Sequence, residues 1–288
     1  MTSLSVKRVR AEPLREYAVR GGGGTMLRAR EWGNLSAPPI LFVHGWSQCD
    51  LCWSTQLAGP LGESFHLVTF DNRGHGASEK PADPAHYADQ RLWADDLAAV
   101  IEQTGLERPV LVAWSYGGFI VTDYLRANGD GAIGGIDLVG AAVLLRPPSF
   151  DHIGPGLLAN AQAACSPDPG TSIAAIRRFV RACTVDSLDQ DLWVTALCWN
   201  MFTPPEIRGA LLARELDASD VLGEVSVPVL VTHGREDAIV LPAMADYALA
   251  SCRAAEASWY EGVGHMPFVE APDRFDRELA AFAMRATE

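Results

Sequence analysis

Ser115 stands in Ala113-Trp114-Ser115-Tyr116-Gly117-Gly118, after the apolar run Pro109-Val110-Leu111-Val112 and before Phe119-Ile120-Val121-Thr122-Asp123-Tyr124-Leu125. That order reads as strand, sharp turn, helix. Small residues on both sides of the serine, here Ala113 and Gly117, let strand and helix approach while the turn holds the serine in a strained backbone position. The hydroxyl is pushed out at a helix N-terminus, where backbone N–H groups stabilise developing negative charge. A nucleophilic serine also needs a base, an acid that orients the base and an oxyanion hole.

The base expected is His265, in the glycine-rich loop Gly262-Val263-Gly264-His265-Met266-Pro267-Phe268, after the strand-like Ala257-Ser258-Trp259-Tyr260. His44, His66, His75, His86, His152 and His233 open strands, lie in Pro-rich loops or form turns. Only His265 lies late in the chain between glycines, as the order Ser, Asp, His requires. For the acid, Glu236 and Asp237 both qualify by position, beyond the apolar run Val229 to Val231. Asp237 is preferred because a small residue and then an aliphatic one follow it, Ala238 and Ile239, leaving Glu236 to salt-bridge or face solvent. The oxyanion hole is expected from the amide of Tyr116 and that of Trp46, after the strand Ile40-Leu41-Phe42-Val43 and the His44-Gly45 turn. His44 then braces the loop.

Taken in order, these pieces and the segment Asp71-Asn72-Arg73-Gly74-His75-Gly76-Ala77-Ser78 cover nearly the whole chain. The chain resembles a serine hydrolase of the α/β-hydrolase superfamily, near its esterase and cofactor-free haloperoxidase (perhydrolase) branches. The resemblance implies an α/β fold: a mostly parallel eight-stranded sheet, helices on both faces and an inserted helical lid. It also implies a triad of Ser115, Asp237 and His265, an oxyanion hole from Trp46 and Tyr116, and no cofactor. Ala113 departs from the glycine usual at the first position of Gly-x-Ser-x-Gly, and a small side chain still relieves the turn. Epoxide hydrolysis and dehalogenation would want a carboxylate where Ser115 stands.

Elements placed to position these residues follow from pattern. A hairpin turns at Gly21-Gly22-Gly23-Gly24, and strands are expected near 39–43, 66–70, 109–114, 134–141, 228–233 and 256–260, with helices such as Arg91 to Ile101 between them. Such alternation gives a mostly parallel sheet with chemistry at the carboxyl ends of its strands. From Arg146-Pro147-Pro148 to about Val225 the pattern is helical without a clear strand, with helices expected at Ser172 to Cys183, Leu188 to Trp199 and Pro205 to Leu216. The division is therefore residues 1–146 as the first part of the core, 147–225 as a lid and 226–288 as the second part of the core. Trp46, Trp114, Trp199, Ile239 and Met266 are expected to contact substrate. Trp193, Trp199, Met201 and Phe202 fit lid packing onto the body as well as a pocket wall.

Composition bounds the partners. With 288 residues, 48% hydrophobic and 20% charged, the chain can bury one large core. A net charge of −13 disfavours nucleic acid and anionic membranes. No segment reaches a membrane span's apolar length, and the first ten residues lack a signal peptide's apolar core, so the cytoplasm is expected. The glycines around Arg73 match neither a dinucleotide fingerprint nor a Gly-Lys-Ser/Thr phosphate loop, and Arg73 is read as bracing carbonyls. Cys49-x-x-Cys52 lacks a second ligand pair and reads as packing, so no metal is expected. The reading is a hydrolase of small neutral esters or lactones, free to form a homo-oligomer. Perhydrolysis or carbon–carbon bond hydrolysis on the same triad, and non-hydrolytic ligand binding on the same scaffold, are its alternatives.

Overall fold

The structure, a computed structural model, describes residues 12–146 and 149–287; the opening segment and the Pro147-Pro148 pair expected to begin the lid lie outside it. Eight strands form one sheet: β1 (Arg15–Arg20), β2 (Met26–Gly33), β3 (Pro39–Val43), β4 (His66–Asp71), β5 (Val110–Trp114), β6 (Gly135–Val139), β9 (Val229–Gly234) and β10 (Ala255–Tyr260). Their spatial order is β1-β2-β4-β3-β5-β6-β9-β10. The β1–β2 and β2–β4 pairs are antiparallel and the other pairs parallel. Strands β4, β5, β6 and β9 are buried at every position, as strands covered on both faces must be.

The helices that cover the sheet begin and end on recognisable residues. Asp89 caps the Gln90–Gln103 helix by accepting from the Arg91 N–H at 2.9 Å. Gly129, at φ 69°, closes the Gly117–Asn128 helix that follows Ser115. The parallel order brings the ends of β3, β5, β6 and β9 to one edge, and β5 lies at its centre.

Between β6 and β9 the chain forms a helical insertion. Its longer helices are Pro169–Ala182, Gln190–Met201 and Pro205–Leu212. The first starts three residues earlier than its apolar periodicity suggests, because Asp168 accepts from Thr171 N–H at 2.8 Å and Pro169 sits in the first turn. The third stops at Leu212 so that the chain can enter a ladder the sequence does not signal. That ladder pairs β7 (Leu144–Leu145) with β8 (Leu216–Asp217), and two residues are too few for an alternating pattern to show. Among the described residues no helix is long and apolar enough to cross a membrane.

Candidate active site

Ser115 sits at φ 57°, in the left-handed region, a conformation that costs a serine about 1–3 kcal/mol. The backbone around it holds it there: Ser115 N–H donates to Val139 carbonyl (3.1 Å), and Ser115 carbonyl accepts from Gly118 (3.0 Å) and Ala142 (2.9 Å). A Cβ on Gly117 would lie 2.5 Å from the Val43 carbonyl, and one on Gly118 would lie 2.5 Å from that of Ala142. Only glycine fits either place. From Pro109 to Leu125 every residue is buried except Ser115. The elbow therefore presents one polar group at the end of β5.

Asp237 and His265 meet at the neighbouring strand ends. His265 Nδ1 donates to Asp237 Oδ2 at 2.7 Å, which leaves Nε2 as the ring's acceptor. The other carboxylate oxygen accepts the amides of Ile239 (2.8 Å) and Val240 (3.0 Å), which orient the Asp237 carboxylate independently of the imidazole. His233 Nε2 lies 3.4 Å from Asp237 Oδ2, and burial lowers its pKa, which keeps that ring neutral beside the pair. The His265 loop is tied to the elbow by the Trp114 indole N–H, which donates to the His265 carbonyl at 2.9 Å. Among the described residues Ser115 Oγ makes no hydrogen bond.

Glu236 is exposed and accepts the Val263 N–H at 3.0 Å, steadying the histidine loop from outside. Two residues that the sequence reading passed over also shape this corner. Gly140, at φ 48°, approaches so closely that a Cβ would lie 3.1 Å from His265 Nδ1 and 3.3 Å from Asp237 Oδ2. A glycine directly after a buried strand was the available signal. Glu270 accepts from Gly264 (2.9 Å) and Val185 (2.7 Å), joining the histidine loop to the insertion, and burial pushes its pKa to about 7.

Across Ser115 lies the His44–Ser47 turn. A Cβ on Gly45 would come within 2.9 Å of Ser115 Cβ. His44 braces the turn, with Nε2 accepting from Asn72 N–H (3.0 Å) and Nδ1 donating to Gly45 carbonyl (2.9 Å); burial lowers its pKa to about 4. Ser47 is at φ 61°, and its N–H donates to His75 Nε2 at 3.2 Å. Among the described residues the amides of Trp46 and Tyr116 have no protein acceptor.

The five side chains expected to contact substrate are all buried. Trp46 packs edge-on to Phe179 of the insertion and donates its indole N–H to the Arg208 carbonyl. Trp114 packs between Trp53 and Phe268 beside His265, with its N–H donated to the loop carbonyl. Trp199 is 1% exposed, with its N–H on Gln48 Oε1, where its helix turns that face onto the body. Ile239 lies where the Asp237 loop pairs with the insertion, its carbonyl accepting from Gly154 at 2.8 Å. Met266 is buried at the start of the Pro267–Glu270 turn, its carbonyl accepting from Val269 and Glu270. Phe202 and Met201, by contrast, are exposed.

Arg73 does more than brace carbonyls. It donates to those of Gly22, His86 and Leu92, and also forms a buried two-point ion pair with Asp96 (2.6 and 2.8 Å). The one group of metal-ligating side chains among the described residues is Cys49, Asp50 and Asp71, within 4.8 Å of one another. Arg30 already pairs with both carboxylates. The burial of Asp50, with Asp71 beside it, raises its pKa to about 6. Cys52 is buried nearby with a free thiol.

Comparison with known proteins agrees with this geometry. Residues 40–278 match the alpha/beta hydrolase family. The chain is 28% identical to a non-heme chloroperoxidase of Streptomyces lividans, over 90% of this chain and 96% of that one. It is 27% identical to the bifunctional esterase/perhydrolase DCH of Acinetobacter calcoaceticus, over 88% and 94%. The solved structure of an esterase from Rhodococcus sp. ECU1013 superposes with a TM-score of 0.88 at 33% identity, covering 94% of this chain and 98% of that one. With its sheet order, its serine elbow and a match over most of its length, this chain belongs to the alpha/beta hydrolase family.

Proposed function

We propose that the protein hydrolyses small neutral carboxylic esters or lactones through an acyl-enzyme on Ser115. One observation carries the reading most: a strained, half-buried serine, the one residue of its stretch not fully buried, whose preceding residue tethers the loop of an imidazole already paired to a buried carboxylate. Ser115 Oγ attacks the acyl carbon while His265 Nε2 takes its proton, and Asp237 holds the imidazolium that forms. The carbonyl oxygen, now negative, is received by the free amides of Trp46 and Tyr116. His265 returns the proton to the leaving alcohol, and water repeats the sequence to release the acid. Catalytic hydrogen bonds in unliganded sites commonly close only when substrate arrives, which accommodates the unbonded Ser115 hydroxyl.

The insertion, residues 147–225, acts in this reading as a lid. Phe179 against Trp46, and Cys183 carbonyl accepting from His265 N–H at 2.9 Å, support that role. Likeness to the Acinetobacter esterase/perhydrolase favours a second use of the same acyl-enzyme, with hydrogen peroxide replacing water as the second nucleophile. The six free thiols support residence in a reducing compartment such as the cytoplasm.

The test is a rate profile over p-nitrophenyl acetate, butyrate, octanoate and palmitate with a small lactone panel, beside fluorophosphonate labelling. Short acyl chains are expected to give the highest kcat/KM, and Ser115→Ala is expected to lose about 10⁴-fold or more, together with labelling. An active, folded Ser115→Ala protein, or a palmitoyl preference, overturns the reading.

A further inference from the structure

Arg208 is a charge the site's chemistry does not yet use. It rises from the Pro205–Leu212 helix at 0% exposure, and among the described residues no carboxylate pairs with it. Nε donates to Ser47 Oγ (3.0 Å), one terminal nitrogen to Ala164 carbonyl (2.8 Å) and Ser172 Oγ (2.9 Å), and the other to Asn200 carbonyl (2.7 Å). The other two deeply buried arginines are each neutralised, Arg73 by Asp96 and Arg214 by Asp123. Burial lowers the pKa of Arg208 to about 10, so the group stays cationic at neutral pH.

An unpaired buried charge is expensive, and hydrogen bonds to neutral acceptors offset only part of the cost. What Arg208 touches gives that cost a use. Its guanidinium holds the hydroxyl of Ser47, a residue at φ 61°, while its own carbonyl accepts the indole N–H of Trp46 at 3.1 Å. Asn200, the acceptor of one guanidinium nitrogen, also accepts the Ser47 hydroxyl at 3.1 Å. Main chain and side chain of one residue thus grip Trp46 and Ser47 together, and Trp46 carries the amide assigned to the oxyanion.

We propose that Arg208 is a positioning residue for ester hydrolysis, fixing the oxyanion-binding turn from the insertion and adding an uncompensated positive charge beside it. The proposal rests on the serine-hydrolase reading above. Negative charge on the acyl oxygen develops only in the transition state, so the contribution falls on kcat rather than on KM. A tether with no electrostatic part would be replaced well by any long side chain of similar volume.

The experiment compares wild type with Arg208→Met, Arg208→Lys and Ser47→Ala. It measures kcat and KM on p-nitrophenyl butyrate, Ki for phenylboronic acid (which forms an anionic tetrahedral adduct) and amide hydrogen exchange over residues 44–48. Arg208→Met is expected to lower kcat by about 30-fold to 100-fold with KM within about threefold, to raise Ki in proportion and to speed exchange in the turn. Arg208→Lys, which keeps the charge, is expected to recover about a third or more of the lost rate. A folded Arg208→Met protein with kcat within about threefold of wild type, or a loss confined to KM, overturns the proposal. Should Arg208→Met fail to fold, Ser47→Ala decides: kcat about fivefold to tenfold lower with a matching rise in Ki is expected, and an unchanged kcat overturns it. If wild type neither cleaves esters nor labels with fluorophosphonate, the parent reading has failed. Exchange over residues 44–48 then judges Arg208 alone, and unchanged exchange in both the Met and the Ser47→Ala proteins overturns its positioning role.

Discussion

Asp237 and His265 stand on loops that leave adjacent parallel strands, and their contact spans 28 residues of sequence. On the opposite side of Ser115, Ser47 is held by Asn200 and Arg208, 153 and 161 residues away. The first wall is set by strand ends, glycines and backbone amides; the second depends on the Arg208 guanidinium and on carbonyls that arrive from the helical insertion. Changes to the first wall therefore act on the reacting atoms directly, while changes to the second act through the insertion's fit on the body.

The largest effect that separates the walls is expected from the acid. Asp237→Asn should lower kcat by about 10³-fold to 10⁴-fold, because the amide leaves His265 in the wrong tautomer. Glu236→Gln should cost no more than about fivefold, since that side chain holds only the Val263 amide. Steady-state kinetics on one ester decides, and equal losses would move the acid's role away from Asp237.

Gly140→Ala tests how tightly the first wall is built. A Cβ at φ 48° strains the backbone, and at 3.1 Å from His265 Nδ1 it pushes the pair by a few tenths of an ångström. Misplacing a catalytic group by around 1 Å costs about 10²-fold, so a fall of about 10-fold to 100-fold in kcat is expected, with circular dichroism unchanged. Near-normal turnover would show that the corner yields.

Trp199→Phe should loosen the packing of the insertion on the body. It leaves the buried Gln48 Oε1 without its donor, a loss of about 1–3 kcal/mol in urea unfolding. The order of preference among acyl chains should not move. A shifted preference would place Trp199 in the substrate pocket.

Glu270 joins the walls, and its effect is the smallest. Its pKa is raised to about 7 in the folded protein from an ordinary 4.5, so folded protein binds the proton more tightly than unfolded. The stability this contributes is full below about pH 4.5 and is lost as pH rises through 7. Glu270→Gln cannot titrate, so the Tm difference between wild type and variant should narrow from pH 5 to pH 8. A constant difference would mean that Glu270 does not carry this proton.

By itself the sequence determined the sheet's strands, the turn after β5 and the edge where Ser115, Asp237 and His265 gather. Strand runs and their terminal glycines are local signals, and parallel topology sends their ends to one place. Preference for Asp237 over Glu236 also rested on local residues, and in the structure it is Asp237 that meets the imidazole. Tertiary structure alone decided the rest. An aromatic near a nucleophile has the same composition whether it faces a ligand or a core, so the sequence could not say that Trp114 and Trp199 are almost wholly buried. Their indole N–H groups found acceptors at His265 and Gln48, 151 residues distant in each case. A glycine directly after a buried strand marks Gly140 as a turn but not as a neighbour of the acid–imidazole pair, and no local pattern sets the burial of Arg208. Which face of a helix meets the body, and whether a charge is left inside without a partner, depend on packing between segments that no local pattern records.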